Sequence, residues 1–351
     1  MSENIETYYK ELHQIPELGF EEFKTHKYVV DKLDGLNCII YELKPTGVLA
    51  FFDYGFNESI AFRAELDALP IKEENEFEYI SKHNGFMHAC GHDGHMAMLL
   101  KMAEKLNTIT CKKNICLIFQ PSEENYGGAL KVINSNEYES LNIKEVYGIH
   151  LWPNLKEGVI ASKGRVLMAS STEIDITITG KGAHIANKEE GIDSIKIAYQ
   201  LLDSIDEEGV LFNCGKIYTT GARNVVCSKI ELECSLRSFF KLKRKIFLRK
   251  LNTNVSLLAN NSKANISVNA TRYIPELNNN VMLFEKYRHL IDEVISPVYQ
   301  SEDFSFYSEK AKILFLFLGI GNREGLHTSK FNFNPKVLEK GLDVLIKIAT
   351  S

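Results

Sequence analysis

Three short runs of apolar residues constrain the fold of this chain more than any other feature. They cover residues 115–119, 146–151 and 313–318, and each is continuous rather than alternating. A run of this kind is typical of a strand that is buried on both faces of its sheet. Patterns of helical spacing occur elsewhere, at residues 5–12, 20–33 and about 93–106. Strands that alternate with helices in this way predict a layered α/β domain.

The middle of the chain has a different pattern. Residues 173–179 alternate between apolar and polar, which indicates a half-exposed antiparallel strand. Strand and helix patterns then follow in the order β-α-β-β-α-β over about 100 residues, which is typical of ferredoxin-like α+β domains. We therefore predict an inserted domain at residues 169–270, with helices on one face of its sheet. The first domain then comprises residues 1–168 and 271–351.

Composition narrows the class of protein. A length of 351 residues is comfortable for two domains, and a net charge of −5 without a long basic run argues weakly against nucleic-acid binding. The seven cysteines lack the spacing of a disulfide framework. No apolar stretch reaches the length of a membrane span, about 18 residues, and the acidic, polar N-terminus is unlike a signal peptide. We expect a cytoplasmic protein without a membrane partner.

Residues 87–95 contain the most closely spaced set of potential metal ligands in the chain. They contain one thiol, one carboxylate and three imidazoles, Cys90 and His92 among them. Zinc and other borderline-soft ions favour thiolate and imidazole ligands. No second pair of ligands follows at zinc-finger distance, so the remaining ligands must come from elsewhere in the chain, as in an enzyme site. A polar loop with a buried structural cysteine is the alternative interpretation.

Further candidate residues lie at or near the ends of predicted strands. Glu123 and Glu124 are adjacent after one strand, where one carboxylate can bind a metal while the other holds a water. His150 lies within a second strand, His327 follows a third, and Asp67 ends a fourth. Taken singly, these residues are also explained by a solvated loop, a hydrogen-bonded core histidine or a turn. Taken together, they leave Glu123 as a base and supply five ligands for a pair of metal ions: Cys90, His92, Glu124, His150 and His327.

Several stretches, in order along nearly the whole chain, carry a more specific resemblance. They are residues 13–18, 63–71, 88–93, 119–124, 148–150, 180–184, 302–304 and 326–328. With these stretches the chain resembles the two-metal metallopeptidase family of aminoacylases, hippurate hydrolases and indoleacetyl-amino-acid hydrolases. The resemblance implies a mixed-sheet catalytic domain of the zinc-exopeptidase type. It also implies that the inserted ferredoxin-like α+β domain serves as a lid and as a dimerisation domain.

The resemblance implies how metal ions would be held. Each subunit would bind two divalent ions, zinc or manganese, and cobalt or nickel could also occupy such a site. Cys90 would bridge the two ions. His92 and His150 would complete the coordination of one ion, and Glu124 and His327 that of the other.

The resemblance also implies which residues act on the substrate. Glu123 would be the general base and later the proton donor to the leaving amine, and Asp67 would support the site from behind the ligands. His184 would help to hold the substrate carbonyl or the developing oxyanion, reaching across a homodimer. Asn224 and Arg237 would bind the substrate carboxylate, which suits the planar fork of an arginine.

Shorter segments resemble one subgroup most, the N-acetyldiaminopimelate deacetylases of lysine biosynthesis. These segments are residues 170–173, 186–191, 302–307 and 326–329. We therefore expect a deacetylase acting on a small-molecule N-acyl-amino acid. A general aminoacylase, a hippurate hydrolase or a dipeptidase is the alternative, and a non-catalytic metal-binding protein is a more remote one. The departures from the family, such as Glu65, Leu66 and Ser122 in place of Asp, Met and Ala, bear on the substrate rather than on the metals.

Overall fold

The computed structural model describes residues 4–125, 127–205, 208–219, 221–321 and 324–351. The chain divides into two compact units. The first comprises Met1–Leu167, Asn278–Ser296 and Asp303–Ser351, and the second comprises Met168–Leu277 and Pro297–Glu302. None of the helices within the described ranges combines enough length and apolar character to cross a membrane.

An eight-stranded mixed sheet forms the centre of the first unit, so the predicted α/β class with a mixed sheet is confirmed. Four of its strands are parallel and buried along almost their whole length, as continuous apolar runs predict: Asn114–Gln120, Ser59–Glu65, Ile143–Trp152 and Lys312–Gly319. The remaining strands are shorter: Ile39–Glu42, Val48–Phe52, Ile160–Ser162 and Glu293–Val294. Two further short strands, Arg165–Met168 and Leu277–Asn279, lie outside this sheet.

The helix His92–Leu106 is the most buried helix of the first unit. Nearly all of its residues are buried because it packs against the sheet as well as against the helices Ile5–His13 and Leu338–Ala349. Its apolar side chains, such as Met96 and Leu100, belong to the main core. The other helices of this unit, including short 3-10 turns, are Phe23–Leu33, Gly128–Ile133, Asn136–Ser140, Val281–Lys286, Arg288–Leu290, Asp303–Glu309 and Pro335–Val337.

The parallel strands determine where the candidate site residues lie. Because parallel strands end at the same edge of a sheet, residues that follow them are brought together from distant parts of the chain. Asp67 and Glu123 follow two of these strands, and His150 lies near the end of a third. The loop that carries His327 follows the fourth strand. Ligand sites in open α/β sheets are found at this edge.

The second unit contains a four-stranded antiparallel sheet with two long helices. In spatial order the strands are Asn265–Ile274, Ser170–Thr179, Lys229–Ser238 and Leu211–Thr219. The helices Ser194–Asp203 and Lys241–Ser262 complete the chain order β-α-β-β-α-β, and Ile185–Glu190 is a short 3-10 helix. Alternate residues of one strand, Ile174, Ile176 and Ile178, are buried against these helices in a separate core.

The second unit extends beyond residue 270, the predicted end of the inserted domain. Its last strand continues to Ile274. The N–H of Ala169 also donates to the carbonyls of Val298 and Gln300, both at 3.0 Å, and so links Pro297–Glu302 to this unit. The added segment forms no helix or strand, so periodicity alone could not assign it.

Candidate metal centre

A left-handed turn brings the first two candidate ligands together. Gly91 lies between Cys90 and His92 with a φ of +85°, directly before the helix that begins at His92. An L-residue is strained in this conformation, whereas glycine adopts it readily. A Cβ atom at Gly91 would also lie 2.8 Å from Cδ1 of Leu151. Glycine at this position therefore permits the turn that places the thiol and the imidazole in one cluster.

Cys90, His92 and His150 form a first group of donors, whose ligand atoms lie within 4.8 Å of one another. All three side chains are buried. Nδ1 of His150 donates to the Leu151 carbonyl at 2.7 Å, so that Nε2 faces the group, 3.5 Å from Sγ of Cys90. Nδ1 of His92 donates to the Asp67 carbonyl at 2.8 Å, and its buried Nε2 has no hydrogen-bond partner among the described residues. An imidazole held through one nitrogen and open at the other is typical of a metal ligand.

Cys90 also belongs to a second group, with Glu124 and His327. Nε2 of His327 lies 3.3 Å from Sγ of Cys90 and 3.1 Å from Oε1 of Glu124. His327 has a left-handed backbone, with a φ of +61°, and its N–H donates to the Ala89 carbonyl at 2.8 Å. Its side chain is 50% exposed, so the second group opens to solvent where the first does not. The shared thiol allows two ions to be held side by side.

Glu123 belongs to a third group of donors, with His92 and Glu124. One oxygen of its carboxylate, one of Glu124 and a ring nitrogen of His92 lie within 4.8 Å of one another. Two backbone N–H groups fix this loop: that of Glu124 donates to Oδ2 of Asp67 at 2.9 Å, and that of Asp303 donates to Oε1 of Glu123 at 3.4 Å. The two adjacent carboxylates thus face the same cluster while Asp67 supports both His92 and the Glu124 backbone.

The charges in this cluster favour a bound cation. Burial raises the pKa of the Cys90 thiol well above its usual value, and the carboxylate of Glu124 raises it further. Burial by itself would lower the pKa of His92, but carboxylates, that of Glu65 first, raise it to about 10. Nearby carboxylates contribute to both shifts, second to burial for Cys90 and against burial for His92. A divalent cation supplies the missing positive charge and stabilises thiolate and carboxylate ligands, so this set of donors fits a metal of the zinc type.

The three predicted lid residues lie in the second unit and belong to none of these groups of donors. His184 is exposed, and its Nδ1 accepts the N–H of Ala186 at 3.2 Å. Asn224 is also exposed, and its carbonyl accepts the N–H of Ile185, next to His184, at 2.9 Å. Arg237 is half-buried on the strand Lys229–Ser238 and donates from Nη1 to a serine hydroxyl.

Comparison with known proteins decides the family. A sequence model described as peptidase family M20/M25/M40 matches residues 61–351. The chain belongs to this family. It is 31% identical over 369 residues to an N-acetyldiaminopimelate deacetylase of Leuconostoc mesenteroides, covering 98% of this chain and 96% of the relative. It is 33% identical over 358 residues to an uncharacterised hydrolase of Staphylococcus epidermidis, covering 94% of this chain and 93% of the relative.

A solved structure carries the same identification. A Bacillus subtilis protein described as a dinuclear metal-binding peptidase of the M20 family is 28% identical and superimposes with a TM-score of 0.88. The match covers 99% of this chain and 96% of that protein. Membership of the M20/M25/M40 family, together with hydrolase relatives named as deacetylase and peptidase, makes the protein a metal-dependent amide hydrolase. The groups of donors around Cys90 support metal ions as its cofactor.

A buried polar network behind the candidate ligands of this M20/M25/M40 member was not predicted. Arg63 donates to Gln120 at 2.9 Å, to Asp303 at 2.7 Å and to Glu65. Glu65 also accepts Nδ1–H of His95 at 2.7 Å. Burial alone would raise the pKa of Glu65, but Arg63 and His95 hold it well below its usual range. The available signal was a pair of charged residues inside a strand that is otherwise continuously apolar.

Proposed function

We propose that the protein removes the acyl group from N-acyl-amino acids with two divalent metal ions per chain. The observation that carries the proposal is the position of Cys90, which belongs to two groups of donors with Glu123 beside them. His92 and His150 would complete one metal position, and Glu124 and His327 the other. Zinc or manganese suits these donors, and cobalt or nickel could replace them. When bound, the ions supply Lewis-acid activation of water and of the amide carbonyl.

Glu123 would act as the general base. Its carboxylate takes a proton from the attacking water and later donates it to the nitrogen of the leaving group. The product therefore leaves as a neutral amine and not as an amine anion. The N–H of Asp303 orients this carboxylate at 3.4 Å. Asp67 would act through its neighbours, because it holds the ring of His92 and the N–H of Glu124.

The predicted lid residues would bind the two polar ends of the substrate. Because Nδ1 of His184 accepts a backbone N–H, the neutral ring carries its proton on Nε2, where it can donate to a developing oxyanion. Arg237 and Asn224 would bind the free carboxylate of the substrate. An acyl-amino acid offers that carboxylate next to the amide, whereas an internal peptide bond does not. We further propose that His184 acts across a homodimer formed by the second unit.

The most specific substrate that we propose is N-acetyldiaminopimelate, which places the enzyme in lysine biosynthesis. Support comes from relatives that carry this name at 31% and 29% identity over nearly the whole chain. Relatives at 33% identity are uncharacterised hydrolases, so a general aminoacylase, a hippurate hydrolase or a dipeptidase is the second candidate.

Amine release from a panel of substrates tests the proposal. N-acetyl-L,L-diaminopimelate, N-acetyl-methionine, hippurate and a dipeptide are compared with zinc or manganese present, with the Glu123→Gln enzyme as the control. We expect the first substrate to be preferred and Glu123→Gln to lose about 100- to 10,000-fold in rate, the range for a general base. A preference for another substrate would keep the chemistry and refute the lysine-pathway assignment. Wild-type release that survives in Glu123→Gln would refute the proposed mechanism.

A further inference from the structure

Residues 13–22, called here the anchoring segment, contact the surroundings of the metal centre without supplying a proposed ligand. The segment lies outside residues 61–351, the part matched to the peptidase family. Three of its hydrogen bonds reach residues that are each next in sequence to a proposed site residue: Asp93, Ala68 and Ser122. Others reach Thr46, Glu73, Lys82 and His83.

The carboxylate of Glu22 makes the contact closest to the proposed base. It is completely buried, with 0% of the residue exposed. Oε1 accepts the N–H of Ser122 at 2.8 Å, and Oε2 accepts the hydroxyl of Thr46 at 2.5 Å. Glu22 stands at the start of the helix Phe23–Leu33, yet its side chain makes no capping hydrogen bond there. The carboxylate of Glu17 accepts the N–H groups of Lys24 and Thr25 in the first turn of that helix instead.

Ser122 requires outside contacts because its backbone is in the left-handed region. Its φ is +48°, a conformation that costs a non-glycine residue about 1–3 kcal/mol. Gly19 of the anchoring segment lies so close that a Cβ atom there would be 2.4 Å from Oγ of Ser122. The carbonyl of Ser122 accepts the N–H of Gly128 at 3.3 Å. The residue that precedes Glu123 is therefore held through both its N–H and its carbonyl.

The far end of the same loop is fixed by different contacts. Oδ2 of Asp67 accepts the N–H of Glu124, and the N–H of Asp303 donates to Glu123. Glu22 and Asp67 thus fix the loop from opposite ends, with the two carboxylates of Glu123 and Glu124 between them. If the contact at Ser122 is lost, the strained peptide can relax and carry both carboxylates away from the cluster.

A role in packing alone does not account for Glu22. Burying a carboxylate costs several kcal/mol unless hydrogen bonds compensate, so an apolar side chain would fill the same space at lower cost. A buried carboxylate is justified where a hydrogen bond of fixed direction is needed. Here that bond ends on the backbone of the loop that bears the base.

We propose that Glu22 is a positioning residue, which holds the loop carrying Glu123 and Glu124 through the N–H of Ser122. It touches neither the substrate nor the reacting atoms. The inference rests on the proposed function, since it takes Glu123 as the base and Glu124 as a metal ligand. It goes beyond that function by assigning a role to a residue that belongs to none of the proposed ligands, bases or substrate-binding groups.

The test compares Glu22→Ala with Glu22→Gln, and uses the exposed neighbour Glu21→Gln as a matched control. The glutamine retains an oxygen for the Ser122 N–H, and its amide can donate to Thr46. It is a close replacement because burial raises the pKa of Glu22 to about 7, so that the native group is already partly neutral near that pH. Each variant is assayed for kcat and KM on the best N-acyl-amino acid, for Tm, and for zinc affinity by competition with a chelator.

We expect Glu22→Ala to lower kcat by about 10- to 100-fold and to weaken one of the two zinc sites by about tenfold, with KM changed less than about twofold. Glu22→Gln should recover most of both losses, and Glu21→Gln should match the wild type. Equal kcat and zinc affinity in wild type and a folded Glu22→Ala would overturn the inference. If Glu22→Ala does not fold, Thr46→Val decides in its place, because it removes only the hydroxyl that orients the carboxylate.

The proposed function fails in a different way. It fails if the wild type releases no amine from any acyl-amino acid, or if Glu123→Gln is as active as the wild type. The zinc affinity of Glu22→Ala remains informative in that case, since it reports the position of Glu124 without any catalysis. An unchanged affinity would then overturn the inference, and a weakened one that Glu22→Gln restores would support it.

Discussion

At the scale of single residues, His13 shows how this structure uses buried charge. Burial by itself would lower the pKa of His13, but hydrogen bonds to Asp93 at 2.6 Å and Glu73 at 3.0 Å raise it from 6.5 to about 9. A histidine whose pKa rises on folding stabilises the protein fully below the unfolded value and loses that contribution as pH rises through the folded value. His13 therefore loses its stabilising contribution between pH 6.5 and about 9. A pKa shift of this size corresponds to roughly 3 kcal/mol in the free energy of unfolding.

We predict that His13→Gln costs most stability below pH 6.5, and that the difference from the wild type shrinks by up to roughly 3 kcal/mol as pH rises to 9. Urea unfolding of both proteins at fixed zinc concentration, in steps from pH 6 to 9.5, measures this difference. The exposed His289→Gln serves as the control. A penalty for His13→Gln that is constant across the range would contradict the charged state assigned to His13.

The limits of sequence reasoning are also clearest at this scale. Cys90 and His92 were identified as candidate ligands because their residue types suit a metal and their spacing is short. Glu22 and Arg63 were not identified as site residues, because their partners lie far along the chain: Ser122 is 100 positions from Glu22, and Asp303 is 240 positions from Arg63. Periodicity reports whether a position is buried, but not which distant group compensates a buried charge.

At the scale of elements, the start of the helix His92–Leu106 depends on Gly91. We predict that Gly91→Ala weakens zinc binding at least about tenfold, because the new Cβ meets Leu151 and displaces both flanking ligands. The matched control is Gly55→Ala, at a φ of +83° with no atom within 4 Å of the added Cβ. Both variants should lose about 1–2 kcal/mol from the left-handed backbone, but only the first should lose zinc. Equal zinc affinity in the two variants would refute this account.

Secondary-structure elements were predictable where the pattern of apolar residues was strong. The run at 115–119 became the strand Asn114–Gln120, and the alternation at 173–179 lies within Ser170–Thr179. The strand Glu293–Val294 and the segment Pro297–Glu302 were not predicted. The strand is only two residues long and exposed, and the segment has no regular secondary structure, so neither has a hydrophobic period to detect.

At the scale of the whole molecule, we predict a homodimer formed by the second unit. Its sheet ends at the strand Leu211–Thr219, where Ile217 is 56% and Tyr218 47% exposed. An exposed apolar edge strand offers unpaired backbone groups to another chain. Analytical ultracentrifugation should find a dimer for the wild type, a monomer for Ile217→Glu, and a dimer for Leu257→Glu, which changes an equally exposed residue on a helix. A monomeric wild type, or a dimeric Ile217→Glu, would contradict this assignment.

The measurement that tests the central claim most directly is zinc titration of metal-free protein, with binding stoichiometry and amine release followed together. Two zinc ions per chain are expected, with full activity only when both are bound. Cys90→Ala should no longer bind two zinc ions per chain. Cys116→Ala, which changes a buried cysteine of the strand Asn114–Gln120, should still bind two. One ion per chain, activity that persists in chelator, or unchanged stoichiometry in Cys90→Ala would contradict a two-metal amidohydrolase.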